Sequence, residues 1–176
     1  MRVLGIDPGL RITGWGIVEG VRPKVVEAGV VRIGEGDSLE RRLRELYNGI
    51  AEVIETYRPE VMAVEALYSH YKHPSTAILM GHARGVVLLA AGQKGIPVFA
   101  YPPNRIKICL VGSGHASKER VQRMVTVALG LGKIPEPPDV ADALAVALTH
   151  LDSAQKPVMA KHGRHARYAR RALLIG

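Results

Sequence analysis

Four carboxylates stand out by where they fall in the chain. Asp7 closes the apolar run Val3-Leu4-Gly5-Ile6, and Glu65 closes the run Met62-Ala63-Val64. An acid that ends a stretch of core residues is unusual, because an uncompensated buried charge is costly. Asp139 and Asp142 lie three apart and share one face of a predicted helix. If the four converge within about 5 Å, each pair repels by about 3 kcal/mol at an effective dielectric near 20. Such a cluster needs protonation or a cation. An all-oxygen ligand set with open positions suits Mg²⁺ or Mn²⁺, not zinc. Two such ions are the apparatus of phosphodiester hydrolysis: one activates a water, and the other stabilises the leaving 3′-oxygen and the pentavalent phosphate. A catalytic His is then optional. Each acid also has a plainer reading. Asp139 can be an N-cap, Asp142 can be favoured by the helix dipole, and Asp7 before Pro8-Gly9 can be turn chemistry. No turn signal follows Glu65, and jointly with the charge distribution the metal reading is favoured.

Periodicity supplies the elements that must position these acids. Arg2–Asp7, Thr13–Glu19 and Lys24–Ile33 read as strands joined by short turns, an antiparallel meander. Ser38–Tyr57 is helical, with Leu39, Leu43, Leu46, Tyr47, Ile50, Val53 and Ile54 recurring at three and four, Ser38 as N-cap and Pro59 as terminator. Val61–Glu65 and Val98–Tyr101 read as buried strands, and Ser75–Ala91, Ser117–Leu129 and Asp139–Leu151 as helices. The order predicts an α/β fold: a mixed five-stranded sheet, meander first and parallel strands after, with helices on both faces. In such sheets ligand sites gather at the strands' carboxyl ends, where Asp7 and Glu65 fall.

Composition narrows the function classes. A chain of 176 residues makes one domain, and its single cysteine, Cys109, excludes a disulfide framework and a cysteine-built zinc site. No apolar run reaches the ~18 residues of a membrane span; the longest, Ala77–Ala91, carries His82 and Arg84. The N-terminus enters a strand without a signal-peptide pattern, which predicts a cytoplasmic protein with no membrane partner. The net charge of +8 is unevenly placed: residues 1–65 carry −2, 66–135 carry +8, 136–152 carry −4 and 153–176 carry +6. A basic half and a basic tail around small acidic islands point to a polyanion partner. Apolar periodicity fades after residue 152, so residues 153–176 read as a mobile basic tail on a domain spanning 1–152.

The strings Gly5-Ile6-Asp7-Pro8-Gly9, Thr13-Gly14, Gly16, Val64-Glu65, Ala83-Arg84-Gly85-Val86 and Asp139-x-x-Asp142-Ala143-Leu144-Ala145 together resemble the RuvC family of bacterial Holliday-junction resolvases. The first string alone also suits sugar kinases and heat-shock ATPases, but that fold needs two such domains around a nucleotide cleft. The likeness runs from residue 1 to about 152; the tail does not share it. It implies an RNase H-like fold, a homodimer, Mg²⁺ dependence, paired nicks in four-way DNA junctions during recombination and repair, and the RuvA–RuvB branch-migration machine as partner. Position by position, it implies that Asp7, Glu65, Asp139 and Asp142 are the metal-binding catalytic residues. Tyr68 falls where the family places a base-stacking aromatic, more usually Phe, and Lys107 and Lys118 fall on its DNA-contacting lysines.

Three features also carry a reading of their own, without the resemblance. Lys118 occupies an early-helix position that the dipole disfavours, which itself calls for an anion partner. Gly112-Ser113-Gly114-His115 reads as a phosphate-cradling nest or a plain loop. Gly81 and Gly85 share a helix face with Ala77; two helix-interior glycines imply close approach of another element, either in this chain or in a two-fold partner. The expected function is a Mg²⁺-dependent junction-resolving endonuclease, with an RNase H-fold nuclease acting on RNA and a non-cleaving junction-binding protein as alternatives.

Overall fold

The computed structural model describes residues 1–34, 36–66 and 74–155. Five strands, β1 (Arg2–Asp7), β2 (Ile12–Glu19), β3 (Lys24–Arg32), β4 (Val61–Glu65) and β5 (Val98–Tyr101), form one sheet in the order β3-β2-β1-β4-β5. β1 runs antiparallel to β2 and β2 to β3, whereas β1–β4 and β4–β5 are parallel. This is the expected mixed sheet. Helices α1 (Leu39–Tyr57), α2 (Pro74–Gln93), α3 (Pro103–Val111), α4 (Lys118–Ala128) and α5 (Pro138–Gln155) cover its two faces.

Strand alternation sorts the core into two layers. Leu4, Ile6, Ile17, Met62 and Val64 face α1 and α2, meeting Leu46, Ile50, Ala83 and Val87. Val3, Val18 and Ala63 face the other helices, meeting Ile106, Val121, Leu144 and Leu148. The second layer is unusually close. A Cβ on Gly5 would overlap the Ala143 carbonyl oxygen, one on Gly14 the Asp139 carbonyl oxygen, and one on Gly16 the Leu144 side chain at 2.6 Å. Three glycines on one face of β1 and β2 therefore let α5 lie directly on the sheet.

Several expectations are corrected. α3 is not among the expected helices; Pro103 opens it at a position where its missing N–H is no loss. α5 continues to Gln155 instead of stopping at Leu151, so residues 153–155 are helical, with Ser153 Oγ donating to Thr149 O at 2.8 Å; the rest of the predicted tail, 156–176, lies outside the described residues. β5 is an edge strand with Phe99 exposed, not a buried one. α2 is, by length and composition alone, long enough and apolar enough to cross a membrane, although no such run was expected. Averaged over a whole helix, His82 and Arg84 are outweighed. Its inner face, Ala83, Val87, Ala90 and Ala91, packs into the core, while Ile78, Leu79 and Leu89 are exposed.

Candidate metal and nucleic-acid site

Register brings the first two acids together. Ile6 pairs with Val64 in the parallel β1–β4 ladder, so Asp7 and Glu65 end adjacent strands at the same level. By alternation both lie on the α5 side, with Gly5 and Ala63. Gly14, opposite Asp7 in the β1–β2 ladder, admits the first turn of α5 with Asp139. One turn on, Asp142 points the same way.

Asp7 and Glu65 both sense neighbouring carboxylates. Burial, then Glu65, Asp142 and Asp139, raise Asp7 from its ordinary 3.8 to about 7, against a smaller opposing pull from Lys118. Glu65 is also raised, by burial first and Asp142 second, with Lys118 and Lys107 pulling the other way. An all-oxygen set in which Asp7 and Glu65 are pushed toward protonation fits a hard divalent cation. As they stand, no three His, Cys, Asp or Glu side chains among the described residues form a ready metal-holding group. A lysine bears on them instead: Lys118 Nζ lies 2.6 Å from Asp142 Oδ2. The anion that its place at the start of α4 calls for is thus Asp142.

Lys107 on α3 lines the same cleft. Its volume is about 260 Å³, and Glu65, Ile106, Lys107, Lys118 and Asp142 are among its walls. Tyr68 lies outside the described residues. Gly112 ends α3 in the left-handed conformation at φ 77°, its N–H bonding Ile108 O, so this part of the Gly112–His115 segment is accounted for as a helix C-cap. Nothing among the described residues lies within 4 Å of a Cβ built on Gly81 or Gly85 outside their own helix. No described element of this chain therefore makes the close approach that the two glycines imply.

Two positioning residues escaped sequence reading. Buried Thr13 donates through Oγ1 to Gly9 O at 2.7 Å and accepts from Gly9 N–H at 3.0 Å, closing the turn after Asp7. Arg42 on α1 donates through Nη2 to Leu10 O at 2.6 Å, anchoring the same turn from the other face. Thr13 lay within the resembling string but carried no assigned role. Arg42 looked like any solvated helix arginine.

A mixed five-stranded sheet with carboxylates at two adjacent strand ends and on an overlying helix defines the RNase H-like class. Comparison with known proteins narrows this. The profile of the family described as crossover junction endodeoxyribonuclease RuvC matches residues 3–150. A relative of that name from Rhodopirellula baltica is 47% identical over 158 residues, covering 89% of each chain. The Thermus thermophilus RuvC structure in complex with a Holliday junction substrate superposes with a TM-score of 0.83 at 39% identity, covering 88% of this chain and 94% of that one. The yeast mitochondrial Holliday junction resolvase Ydc2 shares the fold with a TM-score of 0.58 at 13% identity, covering 85% of this chain and 78% of its own. The chain belongs to the RuvC family, a nuclease family whose activity implies a divalent metal cofactor.

Proposed function

We propose that this protein is a structure-selective endodeoxyribonuclease that resolves four-way (Holliday) junctions in the cytoplasm during recombination and repair. The observation that carries the reading is that Asp7 feels the charges of Glu65, Asp142 and Asp139, while Glu65 and Asp142 line a cleft together with Lys107 and Lys118. The junction complex of the Thermus relative supports the substrate.

Asp7, Glu65, Asp139 and Asp142 would hold Mg²⁺, two ions per site, with Mn²⁺ able to substitute. When bound, the ions supply Lewis acidity toward an attacking water and the leaving 3′-oxygen. The chain's own residues do the rest. Thr13 and Arg42 fix the turn that presents Asp7, and the β1–β4 register fixes Glu65 beside it. Lys107 and Lys118 draw the scissile strand's phosphates into the cleft, a contact that positions without reading sequence. Hydrolysis breaks the P–O3′ bond: water's oxygen joins phosphorus and the 3′-oxygen leaves as a hydroxyl. Tyr68 stacks on an unpaired junction base, a contact worth about 1–3 kcal/mol. The domain spanning residues 1–152 carries the site, and the basic residues beyond it add phosphate contacts of no structural selectivity.

Two equal cuts need two sites. The exposed apolar face of α2, with Gly81 and Gly85 open to close approach, supports a homodimer joined there. RuvA–RuvB is the branch-migration partner that the family resemblance implies.

The deciding experiment is incubation of a synthetic four-way junction with Mg²⁺ or with EDTA, beside duplex DNA, an RNA:DNA hybrid and folded RNA. Junction cleavage with Mg²⁺ alone is expected. Cleavage confined to RNA, or junction binding without cleavage, would replace the reading by one of its alternatives. Asp7→Asn should lower cleavage by orders of magnitude while metal-free junction binding is unchanged or tighter, through lost repulsion of phosphate.

A further inference from the structure

The Lys118–Asp142 pair joins two residues to which the proposed function gives different partners. Lys118 is the first residue of α4, after the N-cap Ser117, whose Oγ accepts the Arg120 N–H at 3.3 Å. A cation there faces the positive end of the helix dipole and needs a compensating anion. Asp142 supplies it at 2.6 Å, yet the lysine side chain stays 56% exposed against 20% for the aspartate. The stem is therefore free to swing, whereas the carboxylate is fixed on a buried helix. A carboxylate cannot keep an ammonium at this distance while taking up a divalent ion without forcing two cations together.

We propose that Lys118 is a displaceable counter-cation. It holds Asp142 while the cluster is metal-free, gives the carboxylate up to an incoming divalent ion, and carries its released ammonium to a backbone phosphate entering the same cleft. The inference rests on the metal-nuclease reading of the four acids and adds a coupling to it. Metal frees the lysine for DNA. Phosphate, by drawing the lysine off Asp142, raises metal affinity to the same degree, because linkage is reciprocal. The opposing pull of Lys118 on both Asp7 and Glu65 fits a positive charge shared across the cluster in the ion's absence. Lys107 is the internal comparison. It lines the same cleft and also bears on Glu65, but no ion pair ties it to an acid among the described residues.

The test uses the full chain without DNA. Calorimetric Mn²⁺ titration should give at least tenfold tighter binding for Lys118→Met than for the wild type, and less than threefold tighter for Lys107→Met. In parallel, amine acylation followed by mass spectrometry should show Lys118 several times more reactive when saturating Mg²⁺ is added. Lys94, paired with Glu55 at 2.6 Å away from the site, should not change. Equal gains for the two substitutions would reduce Lys118 to one of two field charges and overturn the hand-off. Unchanged Lys118 reactivity under saturating metal would do the same. Absence of saturable Mn²⁺ binding in the wild type would instead overturn the metal reading on which the hand-off rests.

Discussion

α5 and α2 are both rich in small apolar residues, and they meet the rest of the molecule in opposite ways. α5 is buried from Val140 to Leu151 except at half-buried Asp142, and it lies on glycines: Gly5, Gly14 and Gly16 of the sheet leave no room for a Cβ beneath it. α2 carries its glycines itself, and Gly81 and Gly85 face no heavy atom within 4 Å outside their own helix among the described residues. A glycine inside a helix costs about 1 kcal/mol relative to alanine. In the sheet the close approach is realised within the chain. On α2 the same signal has no partner among the described residues, which points to a contact beyond them. The difference also separates two requirements of the proposed function: α5 delivers Asp139 and Asp142 to Asp7, and α2 offers the surface that pairs one site with another.

One substitution made on each side separates these roles most sharply. Gly14→Leu drives a side chain into the Asp139 backbone, and the fold should lose about 3 kcal/mol or more. Chemical denaturation should show the loss, with cleavage abolished even where the protein still folds. Gly85→Leu adds the same side chain to open space, and folding stability should change by less than about 1 kcal/mol. Sedimentation should instead show a monomer, and a supercoiled cruciform plasmid should be nicked rather than linearised. A dimeric Gly85→Leu protein that makes paired cuts would move the interface elsewhere.

The close seat of α5 has an electrostatic consequence that α2 lacks. Asp7 titrates at about 7 in the metal-free fold and near 3.8 when unfolded. Between those values the folded state binds the extra proton, so metal-free stability should fall as pH rises from about 4 to 7 and level off above. The span is on the order of 4 kcal/mol at 1.36 kcal/mol per unit. Asp7→Asn should flatten that slope and raise the melting temperature at pH 8 in EDTA. A wild-type slope that persists in the variant would place the titration elsewhere.

The four acids of the proposed site stand out in the sequence because each breaks a pattern: a charge ending an apolar run, or two acids opening a helix. The mixed sheet, meander first and parallel strands after with helices on both faces, was legible from the order of the elements. What could not be read were contacts between residues distant in sequence and unremarkable in type. Arg42 reaches Leu10 across 32 residues, and its neighbours Arg41 and Arg44 look alike in sequence but lie on the exposed face. Gly14 and Gly16 were visible, but their packing depends on where α5 crosses, and no local pattern encodes that crossing. The lone misfit of Lys118 against its helix dipole did announce an anion. Its identity, an aspartate 24 residues later, needed the fold.

The smallest effect tests α2 most finely. Gly81→Ala adds one methyl where the described residues leave open space, so a free chain should gain up to about 1 kcal/mol from helix propensity alone. If a partner helix sits on that face, the methyl instead holds the two backbones apart, and association weakens while the isolated fold strengthens. The two effects have opposite signs and different concentration dependence. Thermal melts across a hundredfold range of protein concentration should therefore cross: the variant is more stable than the wild type when dilute and less stable when concentrated. Parallel curves with a uniform gain would mean that nothing approaches Gly81. The exposed apolar face of α2 would then need a different partner from a second copy of this chain.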